Sequence, residues 1–484
     1  MARRALAVMV APVALAVPAG TAVLPPAAGL PGRLALVVRA LPVVRVVRVI
    51  PLAAWVLRVL PGLMASRGSR ARDEDHGRWA PGRFSGRDRI GARRDLPQPR
   101  TVTLSVDTLV ELLRQQAAQC GEKTAFSYSY YGDGRSSVSL SYRELDTRAR
   151  AIGAALQERG AAGSRVLVVC GAGLDGIAGI FGCWYAGAVA VPVGEQVGPR
   201  LVSVIADVRP GFVVAGPQVP ASVRLAVDTV AERTGARPLV WCSSEDGDAA
   251  GWVAPAIDAD SVAAIHYRTG SSSCPRGVVV THEQVLTNLE AIAAAGWGDD
   301  RDVVVSWLPV HHERGLIAGV LAGIYRGATT VLMAQSAFVA RPLCWLEAIS
   351  RWRATVTMAP DLAYRVCVQR STRAQREALD VSSLATAVIT GTQPARAATL
   401  TAFTDAFAPA GFRPQAFAPV YGLAEATLLV SGGSQSEVPE VLDVDRAGLA
   451  SGWALDCVPG DRDAVAVVGC GLPRQQVVIV DPDT

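Results

Sequence analysis

The chain has 484 residues, half of them hydrophobic, with a formal net charge of +4. That apolar content builds a substantial core and excludes a chain disordered throughout. The charge is small and its basic residues are spread along the chain, which gives no support to nucleic-acid binding. Lys123 is the one lysine, so arginine carries the positive charge and lysine chemistry is all but excluded. Nine cysteines at wide spacing with no CxxC pair read as reduced thiols.

Residues 1–66 are Ala, Val, Leu, Pro and Arg with no acidic residue before Asp73, and an Arg/Asp/Gly-rich stretch follows to about residue 100. Arg3 and Arg4 before an apolar run match a signal peptide in outline, but Pro12 and Pro18 interrupt it. Arg33, Arg39, Arg45, Arg48 and Arg58 argue against a membrane-spanning helix, because a charged side chain at the bilayer centre is costly. Three readings stand for residues 1–100: a disordered or untranslated leader, a membrane-surface segment within 1–66, and a cleaved signal.

Regular periodicity begins at residue 103. A helix is predicted over 106–118, a hairpin over 126–131 and 136–140 around the turn YGDG, and an amphipathic helix over 142–159. Strands at 166–170, 189–193, 212–215 and 239–242 then alternate with helices at 174–186, from 200, and at 222–232. Further units follow at 303–306, 316–325, 329–333, 342–351, 355–358, 362–370 and 385–389. This alternation implies a mainly parallel sheet covered by helices on both faces.

Residues 267–277, YRTGSSSCPRG, separate an apolar strand at 262–265 from a strand at 278–280 and a helix at 282–295. Small hydroxyl residues, two glycines and one cation can gather backbone N–H groups, hydroxyls and positive charge around a phosphate. The same composition also makes an ordinary Ser/Gly turn. His311, His312 and Glu313 stand side by side and so point apart, which is not the spacing of a helical zinc site.

Four segments in order, YRTGSSSCPRGVVVTHEQVL, SWLPVHHERGLIAGVLAGIYRGATTVLM, ITGTQPARAATL and YGLAEATLLVSGG, make residues 102–484 resemble the adenylate-forming enzymes, and in detail the fatty acyl-AMP ligases. The stretch 438–468, including VDRAGLASG, is similar to that branch rather than to acyl-CoA synthetases. The resemblance implies an α/β fold of two packed subdomains with mainly parallel sheets plus a β-rich end. The expected division is a leader at 1–100 and an AMP-binding large domain at 101–484, with parts at about 101–260, 261–415 and 416–484.

The resemblance also implies a function: ATP-dependent activation of a fatty or related carboxylic acid to acyl-AMP, for transfer to an acyl carrier protein or polyketide synthase, in the cytoplasm. Thr269, Gly270, Ser271, Ser272, Ser273, Arg276 and Gly277 correspond to the triphosphate loop. Gly391, Thr392, Gln393 and Pro394 correspond to the adenine-lining segment, and Tyr421, with Gly422, Leu423 and Ala424, to the motif whose aromatic ring packs beside adenine. Glu425 corresponds to a Mg²⁺ ligand, in keeping with that ion's preference for hard oxygen donors, and His312 to a residue beside the carboxylate and acyl pocket. Read by themselves, Glu425 is also a helix-start acid and Tyr421 a core aromatic.

This sequence departs from the family pattern in several places. Ser273 replaces a loop glycine, Arg276 the loop lysine and Arg268 a small hydroxyl residue. Gln393 stands for Glu, Thr390 for Asn, and Glu313-Arg314 for Asp-Met. The family's small C-terminal domain and its lysine are expected beyond the portion matched here, encoded separately or missing. These departures keep a second reading open, a catalytically impaired or split homologue that binds nucleotide or acyl ligand without independent turnover.

Overall fold

A computed structural model of the chain describes residues 105–130, 137–196, 198–235, 240–267, 276–296, 300–432, 437–450, 455, 457 and 461–480. It also gives the backbone of three short strands, Leu6–Met9, Ala35–Arg39 and Trp55–Arg58. The rest of residues 1–104 lies outside the described residues, and with it most of the leader to which the three readings apply. Among the described residues, no helix is long and apolar enough to cross a membrane.

Two large sheets organise the chain. A six-stranded sheet runs in the order Gly277–Thr281, Val262–Tyr267, Val189–Gly194, Arg165–Cys170, Phe212–Ala215, Val240–Ser243, parallel except for its first strand. A nine-stranded sheet runs Leu472–Pro473, Leu429–Gly432, Phe417–Gly422, Thr386–Ile389, Val356–Ala359, Val303–Ser306, Thr329–Met333, Thr124–Ser129, Ser137–Ser141, with a parallel centre and antiparallel edges. The fold is therefore α/β with mostly parallel sheets.

Sheet membership does not follow the sequential divisions at 260 and 415. The hairpin of Thr124–Ser129 and Ser137–Ser141 joins the nine-stranded sheet because Phe126 pairs in parallel with Thr330. Conversely, Val262–Tyr267 belongs to the six-stranded sheet, where Ala264 pairs in parallel with Ala190.

Alternation along the strands divides the core. Val166 and Val168 face one apolar cluster and Leu167 and Val169 another. The central cluster is shared: residues from both sheets meet the helices Leu109–Cys120, Tyr142–Glu158, Asp175–Tyr185 and His282–Ala294. The far face of the six-stranded sheet is covered by Pro199–Val208 and Ala221–Arg233. The far face of the nine-stranded sheet is covered by Leu343–Trp352, Asp361–Gln369 and Ala397–Phe407, with an aromatic cluster of Trp345, Tyr364, Phe403 and Phe417. Asp175–Tyr185 lies between the sheets, and every residue after its first is buried.

Three of the longer helices start at capping boxes, which fixes their boundaries more sharply than apolar periodicity does. Thr108, Ser141 and Thr281 each accept a bond from the backbone N–H three residues on, and Glu111, Glu144 and Gln284 reach back in return. The first helix accordingly spans Leu109–Cys120 rather than 106–118.

Tyr142 is fully buried, and its hydroxyl donates to the Ala328 carbonyl at 2.6 Å, fastening a helix between the sheets to the turn before Thr329–Met333. Replacing it, Tyr142→Phe, leaves that carbonyl with one donor fewer and should lower the unfolding free energy by about 1–2 kcal/mol. Urea denaturation followed by tryptophan fluorescence checks this; an unchanged midpoint would contradict it.

Candidate functional site

The parallel centre of the nine-stranded sheet is in register. Ala359 pairs with Ile389 and Ile389 with Pro419, so three chains leave the sheet at one level. Gly391, Thr392, Gln393 and Pro394 follow directly from the middle strand, and Tyr421 closes on the same level from Phe417–Gly422. Gly391 packs against Pro360, whose Cβ lies 3.3 Å from where a Gly391 Cβ would sit. Ligands of open α/β sheets bind outside the carboxyl ends of the strands, and these residues occupy that edge.

The six-stranded sheet brings its own carboxyl edge to the same place. His311 lies against Gly194 at the end of Val189–Gly194; a Cβ on Gly194 would be 2.9 Å from the His311 ring. Tyr267 ends the neighbouring strand and pairs with Gly277, which places Arg276 at this edge. Arg200 donates to the Tyr267 carbonyl at 2.6 Å. Thr269, Gly270, Ser271, Ser272 and Ser273 lie outside the described residues. Arg276 and Gly277 are described, and Nη1 of Arg276 is buried with no hydrogen-bond partner.

Each remaining residue has a definite seat. Tyr421 is half-buried beside Leu423, Ala426 and Val430. Gly422 sits against the Leu428 carbonyl, 2.0 Å from where a Cβ would be, so a side chain there has no room. Leu423 and Ala424 are buried, and Glu425 is half-buried in the single turn Ala424–Ala426. His312 precedes a π-helical stretch, Arg314–Leu321, which can approach the chain ahead of it because Gly315 packs on the Pro309 carbonyl. Ala318 from this stretch and Ala322 beyond it help line an apolar recess with Ile292, Val304, Val356 and Met358.

Sequence reasoning missed Arg200 and His266. The latter had a local signal, since a histidine inside the apolar strand VAAIHY must be buried for a reason. Lys123 lies elsewhere: it precedes Thr124–Ser129 and bonds the carbonyls of Asp300 and Gly327, at the amino end of the strands.

A family model described as AMP-binding enzyme matches residues 113–484. The medium-chain-fatty-acid–acyl-carrier-protein ligase JamA of Moorena producens is 34% identical over 392 residues, covering 78% of this chain and 65% of that protein. The long-chain-fatty-acid–AMP ligase FadD32 of Mycolicibacterium smegmatis is 32% identical, covering 78% of this chain and 62% of the relative. A fatty acyl-adenylate ligase from L. pneumophila, solved in complex with acyl adenylate and pyrophosphate, superposes with TM-score 0.70 at 30% identity, over 77% of this chain and 65% of that one. The chain thus spans somewhat less than two thirds of the length of these relatives.

The imidazoles at this edge are held neutral. Burial drives His266 down to about 4, against an opposing pull from Glu313. Burial drives His311 to about 3, helped by His312 and Arg200. His312 is lowered by burial and by Arg200 and Arg314, while Glu313 opposes the shift. On the helix at the back, burial takes His282 to about 4. A histidine whose folded value lies below its unfolded one favours folding less as acid is added, because the unfolded chain takes up the proton first. This contribution is intact above about 6.5 and is lost as pH falls toward about 4. Imidazole NMR signals of His266, His282 and His311 should therefore stay constant between pH 6 and 8; titration of any of them near 6.5 would contradict the assignment.

Proposed function

The chain belongs to the AMP-binding enzyme family, and we propose that it activates a fatty or related carboxylic acid as its acyl adenylate, using ATP and Mg²⁺. The observation that carries this reading is the in-register carboxyl edge from which residues 391–394 and Tyr421 leave the nine-stranded sheet, with His311 against Gly194 bringing the other sheet's carboxyl edge to it. In the reaction a carboxylate oxygen forms a bond to the α-phosphorus of ATP. The bond from that phosphorus to the bridging oxygen breaks, and pyrophosphate leaves with the electron pair. The carboxylate is already ionised at neutral pH, so no general base is required, and catalysis consists of placement and charge relief.

The residues divide this work. The buried unpartnered nitrogen of Arg276 is a donor suited to a phosphate oxygen. Residues 391–394 and the Tyr421 ring flank the base. His312, its pKa lowered by burial, borders the carboxylate without adding a competing cation. Glu425 suits Mg²⁺, which takes one or two carboxylates from protein and completes its shell with phosphate and water. Among the described residues no cluster of three or more His, Cys, Asp or Glu competes for a metal. When bound, the ion neutralises phosphate charge.

An acyl carrier protein is the acceptor suggested by the name of JamA. The planar fork of Arg276 cannot simply replace a compact ammonium, and this motivates a second reading, binding without turnover.

Incubation with ATP, Mg²⁺ and fatty acids of graded length should yield acyl-AMP detectable by mass spectrometry, and Glu425→Gln should slow its formation on the order of a hundredfold. Absence of adenylate at high enzyme concentration, with calorimetric binding of an acyl-AMP analogue intact, would reject turnover in favour of the second reading.

A further inference from the structure

We propose that Asn288 is a positioning residue for Glu425, holding the strained turn that aims its carboxylate. This inference rests on the reading of Glu425 as the Mg²⁺ ligand.

The turn follows Glu425 immediately. Thr427 has φ 67° and ψ −62°, and the Leu428 amide donates to the Ala426 carbonyl at 2.8 Å across it. These are the marks of a γ-turn with positive φ, a rare and strained conformation that is least suited to a β-branched residue. Thr427 is also buried, so water does not satisfy the surrounding backbone.

Something must offset that strain, and two side chains from distant parts of the chain converge on the turn. Asn288, 2% exposed on the helix His282–Ala294, accepts from the Leu429 amide at 3.0 Å through Oδ1. Its Nδ2 donates to the Leu429 carbonyl at 3.0 Å and to the Ala426 carbonyl at 3.4 Å. Gln475 donates to the same two carbonyls, at 2.6 Å and 3.1 Å. Gly422 completes the fit by leaving space for the Leu428 carbonyl.

The consequence is directional. Glu425 sits on a one-turn element whose far end is this γ-turn, so relaxing Thr427 rotates the peptide planes that orient the carboxylate. The helix bearing Asn288 begins directly after Gly277–Thr281, the strand that follows Arg276. Asn288 thereby ties the phosphate side of the site to the metal side. A merely structural amide would satisfy buried carbonyls without affecting how the site responds to Mg²⁺.

Two measurements separate these roles, hydrogen exchange of the peptide covering residues 423–431 without ligand, and calorimetric ATP binding across a Mg²⁺ series. Asn288→Ala should speed exchange at Leu428 and Leu429 at least about tenfold, and raise the Mg²⁺ concentration for half-maximal ATP binding by about 10- to 100-fold. Gln475→Leu, which removes two donors and keeps Asn288, should shift both in the same direction by less. Adding Thr427→Gly to Asn288→Ala should recover most of the Mg²⁺ response, because glycine takes the positive φ without strain. Faster exchange with an unchanged Mg²⁺ response would overturn the proposal and leave Asn288 a structural amide; unchanged exchange would overturn it as well. If wild-type binding of ATP does not depend on Mg²⁺ and Glu425→Gln changes nothing, the functional reading itself fails and takes the metal role of Asn288 with it, whatever the exchange shows.

Discussion

The in-register pairing of Ala359, Ile389 and Pro419 is the constraint on which the rest of the site depends. In a sheet a one-residue slip exchanges the two faces, and here both faces are buried against different apolar clusters. Register is therefore fixed by core packing, well away from any ligand. The loops inherit that precision: the turn at 391–394 and the turn after Tyr421 emerge side by side because the strands beneath them cannot shift. The contact of His311 with Gly194 then brings the second sheet to the same edge.

Electrostatically the site is built from arginine. Arg200, Arg276 and Arg314 come from three separate elements, and Glu313, buried beside Arg314 at 3.7 Å, sets part of the local field. Burial, with Arg200 adding to it, lowers both His311 and His312 below the usual imidazole range. The positive charge there rests with arginine rather than with titrating histidine, in keeping with the proposed binding of ATP phosphates. Arginine also gives directional donors, so its placement matters more than its charge.

Much of this was legible in the sequence, and the reasons differ by residue. Alternating apolar runs reported the strands and helices because each must bury a face, but periodicity alone put the start of the first helix at 106 where the Thr108 capping box sets it at Leu109. The segments at 391–394 and 421–425 were legible through resemblance. Their adjacency was not, since it follows from pairing between strands about 30 residues apart. The affiliation of the hairpin at 124–141 with the later sheet was hidden for the same reason. Asn288 carried no local mark at all. An amide on a helix is ordinary until the strained Thr427, 139 residues away in the chain, is found beneath it.

The central claim is that one cleft holds the nucleotide between residues 391–394 and Tyr421. Photolabelling with 8-azido-ATP, followed by peptide mapping, tests it most directly. The account predicts that label falls on the peptides containing 391–394 or 421–425 and is suppressed by an acyl-adenylate analogue. Label confined to other surfaces, or label on these peptides that the analogue leaves unchanged, would contradict it.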